Sequence, residues 1–414
     1  MAVIKPFRAV RPAADYAADI AALPYDVYNR AEAKHVVERN PLSFLKIDRA
    51  ETQFPDDTDM YSQSVYDRAR DTLQEMTDAG YFMQDESPCY YLYALTFREQ
   101  TQTGIVCCAS IDDYLNGVIC RHENTLEEKE TDRIRHIDTM DAQTGPIFLV
   151  HRPDPEIHAL KATICQTAPL YDFVSTDGVR HQVWLISDAA QIAQITEITA
   201  RMQHIYIADG HHRAASAVKV GLKRREEHPG YDGSEEFNYF LSVLFPEDEL
   251  RIFDYNRVVD GLHGHSVSSL LGGIQRRFDV IQRYGDEPYR PQRKGEIGMY
   301  LNHTWYTLTA KPVLYSADPV RSLDVSILQN EILEPLLGIQ NPKTDPRIHF
   351  IGGIRGLEEL VRMTDSKSDR VAFAMYPTSM EELLSVADAG RLMPPKSTWF
   401  EPKLRSGLFI HPLE

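Results

Sequence analysis

The chain has 414 residues, of which 43% are hydrophobic and 25% are charged, a composition typical of folded globular proteins. Its 61 acidic and 44 basic residues give a formal net charge of -17. An acidic surface repels the phosphates of DNA and RNA, and no long basic run interrupts it, so nucleic acid is excluded as an expected partner.

Length and the distribution of apolar residues limit the architecture and the location. A chain of this length predicts two or three domains. Because no apolar stretch reaches the length of a membrane-spanning helix and the N-terminus lacks a signal-peptide pattern, we expect a cytoplasmic protein without a membrane partner. The chain has five cysteines, an odd number, and no two of them have C-x-x-C spacing. Both features disfavour a disulfide framework or a zinc ribbon.

The first 144 residues read as a mixture of helices and strands. Hydrophobic periodicity predicts helices over 30–38 and 61–80 and a strand over 43–47. Residues 89–97 and 105–111 are rich in aromatic and β-branched side chains and flank a polar turn that ends at Gly104. This pattern predicts an antiparallel hairpin.

The remainder of the chain predicts a second and a third segment. Strand-like and helical stretches alternate over 145–210, which indicates a mixed α/β domain. A buried strand is predicted over 237–245, and a Gly- and Ser-rich stretch at 261–273 suggests a boundary. We therefore expect an N-terminal α+β domain at 1–144, an α/β domain at 145–262 and a C-terminal α/β segment at 263–414.

The most informative motif is Asp209-Gly210-His211-His212-Arg213, which ends an apolar strand and opens an Ala-rich helix. The first turn of a helix has unpaired N–H groups and a partial positive charge, so it suits phosphate. Arg213 adds paired donors, and the two imidazoles can move protons. The alternative interpretation is an Asp209 N-cap, a turn glycine and two solvated histidines.

A second motif lies at His122 and Glu123, in a loop before a predicted helix. Thr125 and Glu128 have the spacing of a capping box, which predicts where that helix begins. A loop carboxylate beside a cationic helix is placed as a general base would be. One face of the helix carries four ionisable residues at helical spacing, and a solvated face with weak ion pairs is the alternative. They are Lys129, Asp132, Arg133 and His136.

The C-terminal tail, residues 393–407, contains three prolines and several side chains that can donate hydrogen bonds to phosphate, although the chain as a whole is acidic. The donors are Lys396, Ser397, Thr398, Lys403 and Arg405. Two interpretations stay open: the tail closes over a ligand, or it is a terminal arm docked through Trp399 and Phe400.

The Asp-Gly-His-His-Arg motif resembles that of the free serine kinases (SerK), within the wider ParB and sulfiredoxin-like group. Most of the chain resembles the DUF1015 family of bacterial and archaeal proteins. The segments that carry this second resemblance are Pro6-Phe7-Arg8, Pro24-Tyr25-Asp26-Val27, His122 to Thr125 with Asp132-Arg133, Tyr206 to Arg213, and Met393 to Thr398.

The resemblance implies a mixed-sheet domain of the ParB and SerK type and a kinase function. ATP or ADP would donate a phosphoryl group to the hydroxyl of a free amino acid, with L-serine giving O-phospho-L-serine. The loop from Asp209 to Arg213 would hold the nucleotide phosphates, and Glu123 is matched by its chemistry to the glutamate that removes the hydroxyl proton. One departure is Tyr255-Asn256, where the family is expected to show Thr-His before Arg-Val-Val.

These expectations assign the remaining site residues. His122, His211 and His212 join Glu123 as catalytic candidates. The residues expected to bind nucleotide are those of the loop from Asp209 to Arg213, which includes Gly210, together with Lys129, Arg133 and Lys396. Asp209 is the first candidate ligand of Mg²⁺, and Asp132 is the second.

Two other functions stay open at this stage, and so does a homodimer. One is a ParB-like nucleotide-binding switch without kinase activity. The other is a metal-dependent hydrolase built on His122, His211, His212 and Asp209, which adjacent histidines disfavour because their side chains diverge.

Overall fold

The structure is a computed structural model that describes residues 1–285 and 287–414. The chain forms two compact units, Met1–Leu250 with Pro402–Glu414, and Arg251–Glu401. This division differs from the three segments expected above. Segments 1–144 and 145–262 contribute to one sheet, since the strand Tyr239–Pro246 pairs with Gln100–Ser110.

The elements of residues 1–250 alternate between short strands and helices. The strands are β1 (Ile4–Lys5), β2 (Val10–Pro12), β3 (Phe82–Gln84), β4 (Tyr90–Phe97), β5 (Gln100–Ser110), β6 (Ile119–Cys120), β7 (Ala142–Gln143), β8 (Ile147–His151), β9 (Tyr171–Val174), β10 (Arg180–Ile186), β11 (Ile205–Asp209) and β12 (Tyr239–Pro246). The helices are α1 (Ala17–Ile20), α2 (Arg30–Arg39), α3 (Leu45–Asp48), α4 (Gln63–Asp78), α5 (Ile111–Leu115), α6 (Glu127–Met140), α7 (Pro155–Ile164), α8 (Ala189–Ala200) and α9 (His211–Glu227).

The second unit and the tail contain the remaining elements. The strands are β13 (Ile252–Phe253), β14 (Tyr255–Asp260), β15 (Phe278–Gln282), β16 (Glu296–Leu301), β17 (Thr304–Ala310), β18 (Ile348–Gly352), β19 (Arg370–Met375), β20 (Trp399–Phe400) and β21 (His411–Pro412). The helices are α10 (Val267–Gln275), α11 (Asp324–Leu328), α12 (Glu358–Asp365) and α13 (Met380–Asp388). Strand β21 belongs to the first unit, where it pairs with β7.

Each unit is built on one main sheet. In the first unit the order is β6-β11-β8-β12-β5-β4-β10-β9, with β1 on β5. Strand β11 runs parallel to β6, and β12 runs parallel to β8, while the other pairs are antiparallel. In the second unit the antiparallel order is β15-β17-β16-β19-β14-β18. The mixed α+β class predicted from the sequence is confirmed.

The core of the first unit positions the Asp-Gly-His-His-Arg motif. Ile205 and Ile207 of β11 are fully buried, and so is Ala214 of α9. Burying one large aliphatic side chain contributes roughly 1.5–3 kcal/mol. The strand and the helix are therefore fixed on either side of the sharp turn that joins them.

Two local predictions were wrong. Residues 43–47 do not form a strand, since the one-turn helix α3 begins at Leu45. Phe44, Leu45 and Ile47 are all buried, and a short apolar run does not distinguish the two conformations. The hairpin turn lies before Gln100, and Gly104 lies within β5 instead of ending the turn. A Cβ at residue 104 would stand 2.6 Å from the side chain of Val243, so the close packing there requires glycine.

Within the described residues, no helix combines the length and the apolar character needed to span a membrane.

Candidate functional site

The N-terminal ends of α6 and α9 lie side by side. At these ends the backbone N–H of Leu126 donates to Nε2 of His212 at 3.0 Å. Near the other ends Nη2 of Arg224 lies 3.3 Å from Asp138, so the two helices run parallel. The partial positive charges of two helix dipoles therefore meet at one place. The first turn of α6 also carries Glu127, Glu128 and Glu130, whereas the first turn of α9 carries no acidic residue and is the one that favours an anion.

The turn before α9 depends on glycine. Gly210 has a φ of 93°, and a Cβ there would stand 3.1 Å from both Nε and Nη2 of Arg213. Nη1 of Arg213 donates to the carbonyl oxygen of Pro146 at 2.6 Å, which fixes the guanidinium over the turn.

Asp209 is an ionised carboxylate between two cations. Its Oδ2 lies 3.4 Å from Nη2 of Arg213 and 3.6 Å from Nζ of Lys403. Burial raises the pKa of Asp209, but Lys403 and Arg213 lower it by more, so the pKa is well below its usual range. The side chain is 38% exposed, which leaves room for a ligand.

In the structure the loop motif at His122 and Glu123 lies beside the motif that opens α9. Oε2 of Glu123 lies 3.9 Å from Nδ1 of His211, and Glu123 is 40% exposed. The rings of His122 and His211 form an edge-to-face contact with centroids 4.5 Å apart. This arrangement places a carboxylate and an imidazole beside the start of α9.

Both of these histidines are buried and neutral at pH 7. Burial lowers the pKa of His122 to about 4 and holds the pKa of His211 well below its usual range, with His122 adding to the effect. Nδ1 of His122 and Nε2 of His211 have no hydrogen-bond partner among the described residues. As neutral rings they can accept or donate one hydrogen bond each, but they do not supply positive charge to a phosphate.

His212 ties the two helices together. Because its Nε2 accepts the N–H of Leu126, that nitrogen is not a proton donor. The predicted capping box at Thr125 and Glu128 was wrong, since α6 begins after Leu126 without a side-chain cap. The imidazole replaces the cap by taking a backbone N–H at the start of the helix.

The predicted ionisable face of α6 lines a cavity of about 240 Å³. The members that line it are Lys129, Asp132, Arg133 and His136. Arg133 bonds to Asp132 through Nε at 2.9 Å and lies 4.0 Å from the centroid of the Tyr25 ring. Asp132 also accepts from the Tyr66 hydroxyl at 2.8 Å.

A smaller cavity of about 30 Å³ adjoins the first. It shares with the larger one Tyr25, Asp48, Arg133 and His136, and Arg213 also lines it. Arg213 therefore lies between the cavities and Asp209. Among the described residues that line either cavity, Glu123 and the two neutral histidines do not appear.

Tyr25 and Asp48 are site residues that the sequence reasoning did not assign. Tyr25 lies in the Pro-Tyr-Asp-Val segment, so the family resemblance was a signal for it. Asp48 follows the apolar run that was misread as a strand, and nothing in its local sequence marked it. It is 5% exposed and accepts from the Thr144 hydroxyl at 2.9 Å.

The side chains of the described residues limit where a metal ion can bind. In the part of the chain that the structure describes, no group of three or more His, Cys, Asp or Glu side chains is placed to hold a metal ion. This leaves the hydrolase interpretation without a ligand set. Mg²⁺ beside phosphate needs only one or two protein carboxylates, and the ionised Asp209 fits that requirement. Asp132 is already bonded to Arg133 and Tyr66.

The tail predicted as one segment is divided between the units. Lys403 and Arg405 belong to the first unit, where Arg405 pairs with Asp177 at 2.5 Å. Lys396 belongs to the second unit, and its carbonyl oxygen accepts from Nη2 of Arg257 at 3.0 Å. Its place in nucleotide binding stays a prediction.

Asn256 marks the departure from the family pattern. It is fully buried, and its Oδ1 accepts from the backbone N–H of Met375 at 2.8 Å. Its Nδ2 donates to Asp254 at 2.6 Å. In this chain the residue holds β14 against β19, and its amide carries no titratable proton.

Three solved structures resemble the chain weakly. A mutant free serine kinase in complex with ADP aligns over 73% of this chain and 92% of its own, with 12% identity and a TM-score of 0.35. A conserved hypothetical protein from Pyrococcus furiosus aligns over 74% and 94%, with 12% identity and a TM-score of 0.36. C-terminally truncated SbnI from Staphylococcus aureus aligns over 73% and 85%, with 12% identity and a TM-score of 0.37.

Sequence comparison is more specific. No curated protein matches the chain. A family model described as protein of unknown function (DUF1015) matches residues 4–326, which is well over half of the chain. The chain therefore belongs to the DUF1015 family.

Proposed function

We propose that the protein transfers a phosphoryl group from ATP or ADP to the hydroxyl of a free amino acid, with L-serine as the leading acceptor. The observation that carries this proposal is the meeting of two helix N-termini beside Glu123, whose carboxylate lies 3.9 Å from His211. Phosphoryl transfer requires positioning and charge neutralisation above all. The resemblance of the Asp-Gly-His-His-Arg motif to that of the free serine kinases suggests the acceptor.

The nucleotide phosphates are proposed to bind at the first turns of α6 and α9. There the backbone N–H groups point outward, and Arg213 and Lys403 lie within 4 Å of Asp209. Asp209 is the proposed ligand of Mg²⁺, which would neutralise phosphate charge when bound. Lys129 adds positive charge along the neighbouring face of α6.

Glu123 is the proposed acceptor of the hydroxyl proton. As the acceptor oxygen forms a bond to phosphorus, the bond from phosphorus to the leaving nucleotide breaks and the proton passes to the carboxylate. The neutral His211 beside it can donate a hydrogen bond that orients Glu123. His122 packs on His211 and keeps it in place, while His212 holds the helices together.

A coupled assay of the full-length protein with L-serine and each nucleotide tests the proposal. We expect consumption of ATP or ADP that depends on serine and yields O-phosphoserine. Glu123→Gln should lower kcat by roughly 10²- to 10⁴-fold, as for other general bases, while ADP still binds. The matched control is Glu38→Gln, an exposed acid in α2 that lines neither cavity. Nucleotide binding without turnover on any amino acid would contradict the kinase and support the nucleotide switch.

Lys403 gives an independent test of the phosphate site. Lys403→Met removes a cation 3.6 Å from Asp209 and should weaken ADP binding roughly 10-fold, or about 1.4 kcal/mol. Lys34→Met is the control, because Lys34 pairs with an exposed Asp56 elsewhere. Equal ADP affinity in both variants, measured by calorimetry, would move the phosphates away from this end of α9.

A further inference from the structure

The cavity beside α6 is too small for a nucleotide. Its volume is about 240 Å³. Pockets for drug-sized ligands occupy roughly 300–1,000 Å³, and one water occupies about 30 Å³ of liquid. A cavity below that range suits a compact molecule better than a nucleotide.

The charges that line the cavity are of both signs. The cationic residues are Arg49, Lys129 and Arg133, and the acidic residues are Asp26, Asp48, Glu51 and Asp132. Since acids slightly outnumber bases, a polyphosphate is disfavoured there. A small molecule that carries one positive and one negative charge would find a partner for each.

Two of these groups have bonding capacity that the protein does not use. Arg133 contacts Asp132 through Nε and Nη2, and no described residue accepts from its Nη1. Asp48 accepts from Thr144 through Oδ1, and no described residue donates to its Oδ2. Both side chains are more than nine-tenths buried, yet these two atoms are not themselves enclosed, so they can pair with a ligand or water in the cavity.

His136 supplies a third and more specific signal. It is 4% exposed and lines both cavities. One ring nitrogen bonds to the backbone of Ile47, and no described residue pairs with Nε2. Burial lowers the pKa of His136 to about 4, so the ring is neutral. With Nδ1 donating to the carbonyl of Ile47, Nε2 is an acceptor and requires a donor from a ligand.

We infer that this cavity binds the acceptor as a zwitterionic α-amino acid. The ammonium group lies between Oδ2 of Asp48 and Nε2 of His136, and the carboxylate accepts from Nη1 of Arg133. The smaller cavity, lined by Asp48, His136 and Arg213, extends to the guanidinium that contacts Asp209 at the proposed phosphate site. The identity of the ligand as an acceptor rests on the proposed function, whereas its binding does not require nucleotide.

Calorimetry of the full-length protein without nucleotide tests the inference. A panel of L-α-amino acids that includes L-serine is compared with ethanolamine, which lacks the carboxylate, and 3-hydroxypropionate, which lacks the ammonium group. We expect an L-amino acid to bind and each of the two analogues of serine to bind roughly 10- to 100-fold more weakly than L-serine, because each leaves one charged hydrogen bond unmade. Analogues that bind as well as the amino acid would overturn the inference.

Variants locate the site. Asp48→Asn keeps an acceptor for Thr144 but loses the charge, so it should weaken amino-acid binding at least 10-fold while ADP affinity is unchanged. His136→Gln is the second variant, and thermal unfolding shows whether each has folded. Asp138→Asn is the control, because this acid pairs with Arg224 and does not line either cavity. Unchanged binding in both folded cavity variants would overturn the inference.

The result also separates this inference from the proposed function. Amino-acid binding that depends on Asp48, without phosphoryl transfer from ATP or ADP, would uphold the cavity and reject the kinase. Serine phosphorylation whose KM for serine is the same in Asp48→Asn and His136→Gln as in the wild type would uphold the kinase and reject the cavity.

Discussion

Replacing Gly210 with alanine tests the geometry on which the phosphate site depends. The φ of 93° lies in the left-handed region, which costs an L-residue about 1–2 kcal/mol. The added Cβ would also stand 3.1 Å from Nε and Nη2 of Arg213. The guanidinium must move by a few tenths of an ångström, so its contact with Asp209 lengthens beyond 3.4 Å.

Two other glycines separate the two effects. Gly178 has a φ of 80° and open space around it, so Gly178→Ala introduces backbone strain alone. Gly230 has open space and no positive φ, so Gly230→Ala should be close to neutral. In a unit of this size 1 kcal/mol shifts Tm by roughly 2–4 °C, which predicts a loss of about 2–8 °C for the variants at Gly210 and Gly178.

The functional readout distinguishes Gly210 from its controls. We expect Gly210→Ala to weaken ADP binding about 10-fold, since Arg213 is displaced from its phosphate-binding position, and Gly178→Ala to leave ADP affinity unchanged. Thermal melting gives the stability difference and calorimetry gives the affinity. If Gly210→Ala melted like Gly230→Ala, or bound ADP as tightly as the wild type, the reasoning about this turn would be refuted.

Two predictions concern stability alone. Burial holds the pKa of His122 and His151 at about 4, against about 6.5 when unfolded, so their stabilising effect is complete above pH 6.5 and is lost as the pH falls towards 4. At pH 5 the free energy of unfolding, measured with urea, should be lower than at pH 7 by about 2 kcal/mol for each of these two histidines. His151→Gln should remove the part of this loss that His151 causes, and an unchanged pH dependence in the variant would contradict the prediction. Gly353→Ala should destabilise the second unit by about 1–3 kcal/mol, because its Cβ would stand 2.2 Å from the buried Oδ1 of Asp254. Gly272→Ala, with open space inside α10, should instead stabilise by about 0.5–1 kcal/mol, and equal unfolding midpoints for these two variants would refute the steric argument.

Sequence reasoning succeeded where neighbouring residues determine the structure. The strand, turn and helix around Asp209 and Gly210 are adjacent in the chain, so apolar periodicity and turn chemistry locate them. The ionisable face of α6 follows in the same way from helical spacing, and in the structure its four residues line one cavity. The strand predicted at 43–47 was wrong because a short buried run carries no periodicity that separates one helical turn from a strand.

Sequence reasoning had less to offer where distant segments meet. Glu123 was matched by its chemistry to the glutamate of the serine kinases, and only the structure shows that its Oε2 lies 3.9 Å from Nδ1 of His211. Lys403 reaches Asp209 only because the chain returns to the first unit after residue 401. Asp48 joined the site without any local signal.

The sequence by itself determined the strand, the glycine turn and the helix start from Asp209 to Arg213, since backbone conformation there depends on a few adjacent residues. The tertiary structure alone decided that α6 runs parallel to α9, and that Tyr25, Asp48 and Arg213 face common cavities. The reason is physical: burial of apolar surface drives these segments together without direction, and which polar groups then meet depends on how the whole core packs.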